Sequence, residues 1–258
     1  MLIQTDELES ILDSPDLVLV DCRSFKEYSQ GHITGAVHLD LFAFHWIETG
    51  KSGLEAFSRQ AEQLFGFCGI SDKKKVVFYD NQSGMLASRG VWLLNYFSHP
   101  DVHMLDGGFQ KWSKENHTIQ TKTNSFKPSE FSGKINPSIM AGFEYIRDNL
   151  QTLTIIDARS SEEFDGSVIR AARGGHIPNS HNVDFHLNIS KDGTLKNNEE
   201  LEKLYPFPKD ANIVTYCQGA YRAANTFLAL KKIGFKNVKV YLGSWGEWGN
   251  KIELPLEK

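Results

Sequence analysis

The chain has 258 residues, 40% of them hydrophobic and 23% charged, a balance that excludes a disordered or fibrous protein. A formal net charge of -4 and a pI near 6.1 argue against a partner with a phosphate backbone, which draws an excess of Lys and Arg to one face. No apolar stretch reaches the roughly 20 residues of a bilayer span, and the N-terminus lacks a basic segment followed by a long apolar run, so neither membrane nor secretory signal is expected.

In chain order, the first patterned stretch is LVLVDCRSFKEYSQGHITGAVHLDL, Leu17 to Leu41. It reads as an apolar strand, Asp-x-Arg-Ser, an acidic and an aromatic residue, then Gly-His-Ile and a second short apolar run. The β-branched run Val76 to Tyr79 predicts a buried strand, Ala87 to Phe97 an amphipathic helix, and VHMLDGGFQKW a further strand with a glycine-rich turn. Thr121 to Ser138 is polar, holds two prolines and has no sustained period. The same order then recurs: LTIIDARSSEEF and GGHI from Leu153, a strand at Ile213 to Tyr216, a helix at Arg222 to Lys232, and VKVYLGSWGEW. The sequence therefore predicts a tandem duplication of α/β domains, each a mainly parallel sheet flanked by helices. The divisions are expected at residues 1–125, a linker at 126–138, and 139–258.

Three cysteines, Cys22, Cys68 and Cys217, make an odd count without the pairwise spacing of a zinc site, which fits a reducing compartment, the cytoplasm by default, and no metal. Cys217 is distinctive. It directly follows the strand IVTY and precedes a helix, the place where open α/β sheets bind ligands. Helix N-terminal amides and dipole favour an anion there and increase a thiol's thiolate fraction. In the loop Cys217-Gln218-Gly219-Ala220-Tyr221-Arg222, Gly219 lets amides curl round the sulfur, and Arg222 adds a fixed positive charge. Cys22, whose counterpart is Ala158, and Cys68, among core-like residues, are assigned to packing.

With these residues in view, the sequence resembles the tandem-domain rhodanese family of thiosulfate and 3-mercaptopyruvate sulfurtransferases. The resemblance rests on the paired Asp-x-Arg-Ser and Gly-His-Ile segments, the cysteine loop, and LDGGFQKW and GSWGEWGN. It implies two rhodanese-like domains, the first catalytically silent because Asp80 aligns with Cys217. It also implies transfer of sulfane sulfur from a small anionic donor to Cys217 as a persulfide, then to a thiol or cyanide acceptor, with no cofactor. Family members hold the donor with an arginine near Gly-His-Ile, so Arg173 and then Arg170, in an eight-residue insertion, are the candidates beside Arg222 and the loop residues Gln218, Gly219, Ala220 and Tyr221.

Arg23 and Arg159 occur in both halves and are assigned to structural ion pairs with Glu27 and Glu163; His32 and His176 are likewise structural, and Trp245 and Trp248 wall the site or pack in the core. The loop lacks both the basic residues of the thiosulfate form and the Gly-Ser-Gly-Val-Thr of the mercaptopyruvate form, leaving the donor open, with Arg222 tilting it to thiosulfate. A Cys-based phosphatase has five residues between Cys and Arg where this chain has four, and a non-catalytic binding module is the further alternative. An internal duplication makes a monomer the default.

Overall fold

The computed structural model describes all 258 residues, which divide into two compact units. One comprises residues 1–44, 58–136 and 189–195, and the other 45–57, 137–188 and 196–258. Each unit thus takes a short segment from the opposite half of the chain. No helix is long and apolar enough to cross a membrane.

In the first unit, five parallel strands lie in the spatial order Leu2–Ile3, Val102–Leu105, Lys75–Tyr79, Leu17–Asp21, Val37–His38. In the second, the order Met140–Ala141, Val238–Tyr241, Ile213–Tyr216, Thr154–Asp157, Ser180–Asn182 repeats it strand for strand. The central strand Ile213–Tyr216 is buried at every residue, which is why it reads as a continuous apolar run. The order in which successive strands are added reverses between Leu17–Asp21 and Lys75–Tyr79, and between Thr154–Asp157 and Ile213–Tyr216, while the strands stay parallel. The crevice outside the carboxyl ends at such a switch is where an open α/β sheet places its site.

A matching core backs each sheet. Val77, Tyr79, Leu105 and Trp112 pack with Ile3 and Leu8 in the first unit, and Val214, Tyr216, Tyr241, Trp245 and Trp248 pack with Ile146 and Ile155 in the second. Trp245 and Trp248 are therefore core residues, each with its indole N–H donating to a backbone carbonyl.

The Asp-x-Arg motifs form buried ion pairs, but with a partner different from the glutamates expected. Arg159 pairs with Asp157 two residues earlier, Nη2 to Oδ2 at 2.6 Å, and donates from Nη2 to the carbonyl of Gly175 at 2.8 Å. Arg23 does the same with Asp21 and Gly31. The reason is local. The backbone N–H of each Arg also donates to its Asp, closing a turn that brings residues i and i+2 to one side. Glu27 and Glu163 are instead the third residues of helix capping boxes with Ser24 and Ser160. Beside each Gly-His-Ile, His32 stacks on Tyr28 and His176 on Phe164, each ring bonding that residue's carbonyl through Nδ1.

Removing one partner of a buried pair strands the other charge. Asp157→Ala is expected to cost about 3–5 kcal/mol in urea unfolding, where an exposed pair contributes below about 1 kcal/mol.

Candidate active site

Cys217 leaves the end of the strand Ile213–Tyr216 with 1% of its surface exposed. The chain then turns through Ala220, at φ +67°, into the helix Tyr221–Lys232. Two layers of hydrogen bonds hold this loop. The carbonyls of Cys217 and Gln218 accept from the backbone N–H of Trp245 and Gly246, each at 2.9 Å, at the start of the short helix Ser244–Trp248. Ser244 Oγ accepts from the N–H of Cys217 at 3.2 Å and of Ala220 at 3.0 Å, and donates to the carbonyl of Tyr241 at 2.8 Å. Those two amides thus serve the hydroxyl of Ser244. Sequence reasoning missed Ser244, although its counterpart, Gly108, marks it as a difference between the halves.

The charges of the site centre on one carboxylate. Glu163 accepts both terminal nitrogens of Arg222, at 2.5 and 2.9 Å, and the Nε of Arg170 lies 3.3 Å from the same carboxylate. Burial opposes ionisation of both Glu163 and Arg222, but their mutual hydrogen bonds win: the Glu163 carboxyl is held below its ordinary range and the Arg222 guanidinium above its own. Arg222, the fixed positive charge expected in the loop, is thus paired with Glu163. Arg170, 61% exposed at its side chain, supplies the surplus, so two guanidiniums share one carboxylate.

The remaining expected residues divide. Gln218 ties the loop to the insertion by donating from Nε2 to the carbonyl of Arg170 at 3.0 Å, while its Oε1 is buried without a partner. Tyr221 stacks with His45 at 5.8 Å between ring centroids, and Gly219 lies under that same imidazole, close enough that any side chain there would collide with it. Arg173, the first candidate for holding donor, is engaged with the backbone in this structure. Its guanidinium donates to the carbonyls of Trp248, Gly249, Lys251, Ile252 and Leu254, so it closes the turn at the end of the last helix. Five backbone acceptors leave it committed to that turn. His45 was missed because it lies outside the repeated motifs.

The first unit shows what the loop is built to hold. Asp80 occupies the position of Cys217, and its carboxylate accepts from the N–H of Gly84 at 3.1 Å, Leu86 at 3.0 Å and Ala87 at 3.2 Å. The carbonyls of Asp80 and Asn81 accept from Phe109 and Gln110, just as those of Cys217 and Gln218 accept from Trp245 and Gly246. Glu27, the counterpart of Glu163, accepts from Asn81 Nδ2 at 2.6 Å. The amide cradle of the first unit is filled by the chain's own anion. The two other cysteines are packing residues: burial pushes the Cys22 thiol well up, with the charges of Asp80 and Asp21 adding to it, and pushes Cys68 up to about 12.

The chain belongs to the rhodanese-like domain family, which it matches over residues 4–115 and 143–251. Two curated relatives span its whole length: a thiosulfate sulfurtransferase of Azotobacter vinelandii, 33% identical over 97% of that protein, and the sulfur carrier protein TtuD of Thermus thermophilus, 30% identical over 96%. Among solved structures it is similar to SseA of Escherichia coli, described as a 3-mercaptopyruvate sulfotransferase, with 27% identity and a TM-score of 0.79 over 95% of this chain and 99% of that one.

Two outcomes follow from the geometry. Arg173→Ala should lower the melting temperature by several degrees through lost carbonyl partners, while the donor KM stays unchanged, as thermal unfolding and steady-state kinetics will show. Burial pushes the Asp80 carboxyl from 3.8 up to about 6, so the native state binds more protons than the unfolded chain between those values. Stability from this group is thus full below about pH 4 and declines as pH rises to about 6. Replacing it by Asp80→Asn should remove a decline on the order of 2–3 kcal/mol, read from urea unfolding at pH 4, 5, 6 and 7.

Proposed function

We propose that Cys217 carries sulfane sulfur between a small anionic donor and a thiophilic acceptor. The observation that carries this reading is the contrast between two matched loops: one cradle is closed by Asp80, and the other offers a thiol beside the Arg222, Glu163 and Arg170 group, with its surplus positive charge. Its chemistry is a two-step exchange. The Cys217 thiolate attacks the outer sulfur of thiosulfate, the S–S bond to the sulfite sulfur breaks, and its electron pair leaves with sulfite. The sulfur stays as a persulfide on Cys217. An acceptor thiolate or cyanide then attacks that outer sulfur, and Cys217 departs as thiolate.

Thiosulfate is the first donor in this reading, supported by the name of the Azotobacter vinelandii relative and by the guanidinium at the mouth. Likeness to SseA supports 3-mercaptopyruvate as the second donor, in which the C–S bond breaks and its pair passes to carbon before protonation to pyruvate. Arg170, Arg222 and the loop residues Gln218, Gly219, Ala220 and Tyr221 form the donor side of the site, and Arg173 supports it from the last turn. Four residues between Cys217 and Arg222, one fewer than a phosphatase loop, favour a sulfur atom over a phosphate. The first unit contributes no sulfur-carrying residue, and the chain links the two repeats through residues 126–138. Three unpaired cysteines suit a reducing cytoplasm, with the chain acting as a monomer.

Cys217→Ser should lower sulfite release from thiosulfate, and pyruvate release from 3-mercaptopyruvate, at least about 10³-fold with the circular dichroism spectrum unchanged. Turnover retained by that variant would refute the assignment.

A further inference from the structure

The segment His45–Thr49 belongs to the second unit although it precedes that unit's own half of the sequence by some ninety residues. It has no regular secondary structure, so something other than a backbone ladder holds it. The anchor is Thr49, 4% exposed, whose backbone N–H donates to Glu247 Oε1 at 2.9 Å and whose Oγ1 donates to Glu247 Oε2 at 2.5 Å. Tyr241 OH donates to the same carboxylate at 2.9 Å, and the N–H of Phe143 closes on Thr49 Oγ1 at 3.0 Å. Glu247 is itself buried, 5% exposed. A buried carboxylate that accepts three such donors holds its partners firmly, because each donor would lose its bond in a dry place if the segment lifted.

From this anchor, alternate residues of the extended segment meet the elements of the cysteine loop. Ile47 lies over Gly246, its Cγ2 3.4 Å from where a Cβ on that glycine would stand. His45 lies over Gly219, its Cε1 2.0 Å from where a Cβ would stand, and stacks at 12° on Tyr221. Gly219 and Gly246 therefore lack side chains where the segment crosses. The helix Ser244–Trp248 serves both sides: its first amides hold the carbonyls of Cys217 and Gln218, and its Glu247 holds Thr49. Loop and segment are thus fixed to one short helix.

We propose that Glu247 and Thr49 are positioning residues for Cys217, tying down a strap whose His45 walls the cysteine loop over Gly219 and so controls access of the sulfur donor. The proposal rests on sulfur transfer at Cys217. His45 and Thr49 lie outside the duplicated motifs, and Glu247, within the repeated GSWGEW segment, has Lys111 as its counterpart in the first half, so the clamp is a feature of the cysteine-bearing unit alone.

The test compares wild type with Thr49→Val, which keeps shape and loses the hydroxyl, Thr49→Ser, which restores the hydroxyl, His45→Ala, and the double variant Thr49→Val/His45→Ala. Two readouts are taken: the rate at which iodoacetamide alkylates Cys217, located by peptide mass, and the KM and kcat for thiosulfate. Loosening the strap should speed alkylation and raise KM by at least about fivefold in Thr49→Val and in His45→Ala, with kcat within about twofold. Thr49→Ser should match wild type, and the double variant should exceed neither single one, as expected of residues acting in series. Wild-type alkylation and KM in Thr49→Val, or effects that multiply in the double variant, would overturn the proposal. Should Thr49→Val fail to fold, unchanged alkylation in His45→Ala, at an exposed position, overturns it instead. A wild-type protein that alkylates normally but takes no sulfur would count against the transfer reading and leave the strap standing or falling on the alkylation rates.

Discussion

The loop after each central strand is held by its neighbour's backbone. Amides of the short helix after the neighbouring strand, Ser244–Trp248 in one unit and Gly108–Lys114 in the other, grip the carbonyls of Cys217 and Gln218 and of Asp80 and Asn81. Because the grip is backbone to backbone, it does not depend on which side chain the loop presents. A thiol and a carboxylate can therefore occupy matched scaffolds, and the duplication keeps its fold in both halves while only one half places a thiol in this loop. Everything placed around Cys217 depends on this fixed path, including the left-handed turn at Ala220 that starts the helix.

Electrostatics then separates the two loops. In the first unit, three amides converge on Asp80 and satisfy an anion from within. In the second, Glu163 binds Arg222 and meets Arg170, so a single carboxylate orders two guanidiniums without cancelling them. The capping-box glutamate is common to both units and serves as a ready acceptor for whatever the loop offers, Asn81 in one and Arg222 in the other. A duplicated structural device has become part of the charge pattern of a site.

Much of this was legible in the sequence because it repeats. Two copies of an apolar strand, Asp-x-Arg-Ser and Gly-His-Ile gave the α/β class, and the mismatch of Cys217 with Asp80 separated the halves. What escaped was pairing decided by three-dimensional neighbours. Arg159 took Asp157 because a turn of two residues brings them together, whereas Glu163 was already committed to a cap. Arg173 looked like a loop cation, but the end of the chain returns to it with a set of backbone carbonyls. His45 and Thr49 carry no local signal, since their importance arises only where the chain brings a distant segment beside Gly219 and Glu247.

The most direct measurement is intact mass of the reduced protein after brief exposure to thiosulfate, followed by peptide mapping of the three cysteines. The account predicts a gain of one sulfur atom, confined to the peptide containing Cys217 and removed by cyanide, with Cys22 and Cys68 unmodified. A sulfur found on either of those two cysteines, or no gain with thiosulfate and none with 3-mercaptopyruvate, would contradict it.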